Sequence, residues 1–261
     1  MKQTLYTNLF FWTLSILFVG VLVGSFSALF LVALELATNT RIANDAWIML
    51  LPLGGALIGI GYHYLSKGVE QESNLLISEM IQPKKRIHWK LAPLVFVGTI
   101  LTHLFGGSAG REGTAVQMGG TIAYQFSRLF KAAQLNRKIL LRMGVAAGFA
   151  GVFGTPIAGV LFAFELDRKI KLDVNGFIPI LLVSFLAHFS CQFFGVGHTV
   201  YVVTELPDFS FENSVFVALA AIAFGLTAFV FSLSKKYLTN GIKQVIPNSI
   251  IRISLGGLII A

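Results

Sequence analysis

The chain is predicted to be an all-α polytopic membrane protein whose helices are in places broken and re-entrant. Three observations carry that reading. The sequence is 55% hydrophobic and only 12% charged, far from the balance of a soluble domain. Uncharged runs cover 3–34, 46–66, 91–110, 113–127, 143–164, 174–204 and 213–234, and most reach the ~20 residues a spanning helix needs. Glycine and proline interrupt several of these runs, which a bilayer tolerates only where the freed backbone groups face protein or a cavity.

Run 3–34 is much longer than the apolar core of a signal peptide and lacks a small-residue cleavage site, so it reads as a retained helix. Runs 3–34 and 46–66 cross out and back, which leaves 67–90 inside. Runs 91–110 and 113–127 form an up-and-down pair that turns at Glu112. Run 143–164 is followed by Arg168, Lys169 and Lys171, an inside loop on both of its flanks, so it enters and returns. Thr155-Pro156 lies in that run, and the proline disfavours helix before it and removes a donor, giving two half-helices. Run 174–204 exits and run 213–234 returns.

The net charge of +8 reports topology and not a polyanionic partner. Lys84, Lys85, Arg86 and Lys90 fall in one loop, Arg128, Lys131, Arg137, Lys138 and Arg142 in another, and Lys235, Lys236 and Lys243 in a third. The stretch 205–212 carries Glu205, Asp208 and Glu212 with no Lys or Arg. Basic loops inside and an acidic loop outside put the N-terminus in the cytoplasm, and no nucleic-acid partner is expected. With a single cysteine, Cys191, an internal disulfide is excluded and so is a cysteine-built metal site.

Glu112 is the residue that most needs explaining. It is the only Asp or Glu between Glu79 and Glu165, and an ionisable group at membrane depth is costly enough to imply a function. Gly106, Gly107, Gly110 and Gly113 bracket it, so the backbone there is not plain helix. Thr114 with Gln117 reads as a capping box that opens a helix at about residue 114. Glu112 then precedes a helix N-terminus, where its ionised carboxylate competes with an anion and its protonated form vacates the place. The plainer alternative is an interfacial ion pair with Arg111. Gly144, Gly148 and Gly159 read as close-packing faces between helices.

Other motifs carry less. Stretch 106–113 lacks the Gly-Lys-Ser/Thr ending of a phosphate loop. The five histidines show no metal-ligand spacing, so no metal and no cofactor are expected. His103 lies about two turns before Glu112 and reads either as proton relay or as hydrogen-bonded packing. Ser108 has no matching base, so the chain is not expected to be an enzyme.

Gly110-Arg111-Glu112-Gly113-Thr114-Ala115-Val116-Gln117-Met118-Gly119-Gly120 resembles the gating-glutamate motif of the CLC chloride channel and transporter family. Thr155-Pro156-Ile157-Ala158-Gly159 and the residues to Glu165 look like the family's next inner helix, and Ser73-Asn74-Leu75-Leu76 stand where its first anion-binding motif falls. Thr114 in place of the family's usual Pro, together with Asn74-Leu75, resembles the bacterial fluoride/proton antiporter branch. The resemblance implies two inverted-topology repeats with the ion between them. By that likeness 1–212 is the first repeat and 213–261 the start of the second, without the family's Gly-x-Phe-x-Pro motif and pore tyrosine. It implies that Glu112 is the gating and proton-coupling glutamate. It also implies that Ser73, Asn74, Leu75, Gly110, Arg111, Gly113 and Thr114 bind the anion, and that the protein is a homodimer in the lipid bilayer.

The substrates implied are fluoride and protons, with chloride permeation or chloride/proton exchange as the variant and an inactive truncated half-transporter as the alternative. Two departures stand out: Glu72 where the branch usually has Gly, and Leu166 where chloride/proton exchangers place an internal proton glutamate.

Overall fold

The computed structural model describes residues 2–65, 76, 79–80, 86–129, 136–166, 174–198, 202, 204 and 208–261. Its described α-helices are α1 (Lys2–Ala43), α2 (Leu51–Leu65), α3 (Leu91–Leu104), α4 (Arg111–Leu129), α5 (Arg137–Phe153), α6 (Pro156–Glu165), α7 (Val174–Phe193), α8 (Phe211–Val245) and α9 (Ser249–Ile260). A short 3-10 helix, Asp45–Leu50, joins α1 to α2. Among the described residues four segments are long and apolar enough to cross a membrane: Leu9–Ala43, Asp45–Leu65, Gly176–Phe193 and Phe211–Val245. All-helical, multi-pass architecture is therefore confirmed.

α5 is the hub, packed against α1, α4, α6 and α7. It buries residues on every side, from Leu140 through Val152, as a helix apolar all round must. Small residues let its neighbours approach to backbone contact. A Cβ on Gly119 would overlap the Gly144 carbonyl, and one on Gly148 would overlap that of Ala115. A Cβ on Gly159 would lie 2.8 Å from the Ala146 carbonyl oxygen. The close-packing reading of Gly144, Gly148 and Gly159 holds, and it sets α4 rigidly on the hub.

Run 143–164 is broken where the proline predicts. α5 ends on Gly154, whose φ of 70° is a left-handed cap that L side chains rarely adopt, and α6 starts with Pro156 at its first position.

Two sequence expectations fail here. Arg142 is not a loop residue: it lies in α5, 4% exposed, with its guanidinium 5.6 Å from the centre of the Phe164 ring. The aromatic face and the packed neighbours give it a buried place that charge counting cannot see. Lys235, Lys236 and Lys243 likewise belong to α8, which runs on to Val245 because no proline interrupts it and helix-forming lysines continue the turn.

α8 is capped by Ser210, whose hydroxyl accepts from the Asn213 amide at 3.1 Å, yet it buries none of its residues. α9 returns to the bundle against α2, with Gly55 and Gly59 facing Ile253 and Ile250.

Candidate functional site: the glycine break before α4

α3 has 14 residues and so is about 21 Å long, short of the ~30 Å hydrocarbon core. Arg86 and Lys90 precede it, which fixes its start near the basic surface of the membrane. Its far end therefore stops inside the bilayer, and the chain must satisfy its backbone there.

Three devices do so. Gly106 takes a φ of 79°, and its amide donates to the His103 carbonyl at 3.1 Å. The Gly107 amide donates to the Thr102 carbonyl at 2.8 Å. The ring Nε2–H of His103 donates to the Ala109 carbonyl at 3.1 Å, which is the packing role for that histidine and needs no proton relay.

α4 then opens at Arg111, three residues before the expected start. Thr114 is not a cap: it is buried in the first turn, its Oγ1 2.6 Å from Oγ1 of Thr99 and 3.4 Å from the Gly110 carbonyl oxygen. The capping-box expectation fails because the helix already opens at Arg111, so Thr114 lies within its first turn and its hydroxyl meets Thr99 and the Gly110 carbonyl.

The first turn of α4 leaves its leading amides without intrahelical acceptors. Glu112 sits in that turn, and its Oε2 lies 2.9 Å from where a Cβ on Gly110 would be. The carboxylate is thus folded back toward the start of its own helix, where the positive dipole end favours it. Glycine at 110 is what leaves room for that pose. Among the described residues no ion pair joins Glu112 to Arg111, and both are exposed.

Gly113 has open space around its Cβ position. Beside it lies a cavity of about 280 Å³ between α2, α3 and α4, lined among others by Tyr62, Thr99, Thr102, Gly110, Gly113 and Gln117. Tyr62, Thr99 and Thr102 had no local signal in the sequence, because only the packing of α2 on α3 and of α3 on α4 brings them here.

The structure thus gathers Gly110, Arg111, Glu112, Gly113 and Thr114 in one helical turn. Ser73, Asn74 and Leu75, and Glu72 before them, lie outside the described residues. Among the described residues no group of three His, Cys, Asp or Glu could hold a metal ion.

A "Chloride/fluoride channel protein" of Pseudomonas syringae pv. tomato is 40% identical over 243 residues, which are 93% of this chain and 54% of that protein. The H(+)/Cl(-) exchange transporter ClcA of Vibrio campbellii is 24% identical over 237 residues, 84% of this chain and 51% of that one. The chain thus spans about half the length of these curated relatives. The crystal structure of a CLC-type fluoride/proton antiporter superposes with a TM-score of 0.91 at 32% identity, covering 97% of this chain and 64% of the other. A slow cyanobacterial Cl-/H+ antiporter, 22% identical with a TM-score of 0.78, shares the fold. The family model described as voltage gated chloride channel matches residues 54–261, and the chain belongs to that family, the CLC channels and transporters.

Proposed function

We propose that this chain carries the anion path of a CLC-type transporter that exports fluoride in exchange for protons. The observation that carries the reading is the pose of Glu112, turned back over Gly110 at the open start of α4. An ionised carboxylate there competes with an anion for the first-turn amides; once protonated it gives up the place. One group thereby links the movement of a proton to that of an anion. Arg111, Gly113 and Thr114 contribute backbone to the same turn, and Ser73, Asn74 and Leu75 line the approach from the cytoplasmic side in this reading.

Fluoride in place of chloride is supported by Thr114 where most of the family has proline, and by the names of the 40% identical relative and of the antiporter structure at 32% identity. Chloride is the second reading, favoured by the name of that same relative. The N-terminus is cytoplasmic in this proposal, and the working unit is a homodimer in the bilayer.

The test is fluoride and chloride efflux from proteoliposomes holding the 261-residue chain, with external pH followed at the same time. Fluoride efflux with proton uptake is expected, together with loss of proton movement in Glu112→Gln. Proton flux unchanged in that variant refutes the role of Glu112, and equal efflux of both halides refutes the selectivity. Absence of any flux in monodisperse protein would assign the chain to the inactive half-transporter class.

A further inference from the structure

Trp89, in the turn before α3, and Pro93 in its first turn form a ridge with an apolar fissure on each side. The first fissure lies between α1, α3 and α4 and encloses about 700 Å³. The second lies between α2 and α3 and encloses about 340 Å³. Trp89 and Pro93 line both. Both fissures run from the basic side of the membrane inward. In the first, the Phe18–Phe126 ring pair lies toward Arg128 and Phe30–Phe96 marks the deeper level. In the second, Leu65 lies with Lys90 at the shallow end, and Leu57 and Leu101 lie deeper.

The walls are almost wholly aliphatic and aromatic, and neither fissure is lined by an Asp or Glu. Each has one cation at its mouth: Arg128 lines the first and Lys90 the second. Trp89 stands between them, 58% exposed, on the side where the indole of an interfacial tryptophan sits at headgroup level.

We propose that one anionic phospholipid of the leaflet facing the basic loops straddles α3, its phosphate held between Arg128 and Lys90 and one acyl chain in each fissure. Two fissures flank one ridge, as two chains hang from one glycerol, and each is lined by one cation and by the shared Trp89. Basic pockets between helices at the cytoplasmic surface take anionic headgroups for this reason. A zwitterionic lipid fills the same fissures without the net attraction. The inference does not depend on the transport reading.

Trp89 reports the site directly once Trp12 and Trp47 are changed to Phe. The full 261-residue chain is placed in vesicles of phosphatidylcholine to which acyl-brominated phosphatidylglycerol or acyl-brominated phosphatidylcholine is added. Brominated phosphatidylglycerol is expected to quench Trp89 at several-fold lower mole fraction. Arg128→Gln and Lys90→Gln should each reduce that preference by roughly five-fold, from about 1 kcal/mol per basic residue near the surface. Arg128→Lys keeps the preference, and raised salt weakens it. Equal quenching by the two lipids overturns the proposal, since it describes ordinary boundary lipid. Absence of quenching overturns it too, by showing that protein covers the ridge. Lipid retained by the unaltered chain, read by native mass spectrometry, repeats the test free of tryptophan changes: phosphatidylglycerol should survive where phosphatidylcholine is lost, and equal retention is again fatal.

Discussion

The backbone turns on Gly106 between α3 and α4 and on Gly154 between α5 and α6, with φ values of 79° and 70°. At each turn a histidine donates Nε2–H to a backbone carbonyl: His103 to Ala109 at 3.1 Å and His198 to Gly151 at 3.0 Å. The two breaks share these parts and differ in what opens the next helix. α6 begins with Pro156, which has no amide proton to offer, and the imidazole of His198 closes over the turn. α4 begins with Arg111 and Glu112, keeps its leading amides, and leaves space at Gly113. One break is a packed joint, whereas the other retains what an anion needs. At the second break Pro156 removes the first amide of α6 and His198 packs on Gly154, whereas α4, the proposed anion site, keeps its first amide.

Substitutions at the joints test this contrast. The largest effect is expected at Gly154→Val, where strained backbone combines with a Cβ 2.6 Å from the His198 ring. A loss of about 3 kcal/mol should appear as a lower unfolding midpoint in detergent and poor monodispersity. Wild-type stability in that variant would mean that the His198 loop moves aside and the joint is not closed.

His198→Ala should cost about 1–3 kcal/mol, because Gly151 is buried and its carbonyl loses its donor. His103→Ala should cost less, since Ala109 is only partly buried and water can replace the ring. Equal losses in a thermal-unfolding comparison would remove the distinction between a closed break and an open one. The smallest change is expected at Gly113→Ala. Nothing lies within 4 Å of the added carbon, and helix propensity should raise stability by about 0.5–1 kcal/mol. A clear destabilisation there would show that the space beside Gly113 is not open in the membrane.

Much of this organisation was legible in the residues. Thr155-Pro156 located the second break, the alternation of runs placed Glu112 at a turn, and Gly144 and Gly148 announced a close helix contact without naming the partner helix. The helix start at Arg111 was not legible, because the Thr114 hydroxyl that resembles a cap is occupied by Thr99 from fifteen residues upstream. The place of His198 was equally hidden, since its partner Gly151 is 47 residues away. Charge counting misplaced Arg142, which α5 buries over Phe164. The anion motif at Ser73, Asn74 and Leu75 stays a matter of resemblance, as it lies outside the described residues.

The sequence by itself determined what local chemistry controls: which runs are apolar enough for lipid, where glycine and proline interrupt them, and that one acid stands alone at a helix start. These follow from backbone donors, φ limits and the cost of burying charge, all of which act over a few residues. Only the tertiary structure decided which break stays open. That outcome depends on the ring of His198 reaching Gly154, the hydroxyl of Thr99 reaching Thr114, and the backbone contact of α4 on α5. Such contacts join residues far apart in the chain, and their energies exist only once the helices have packed.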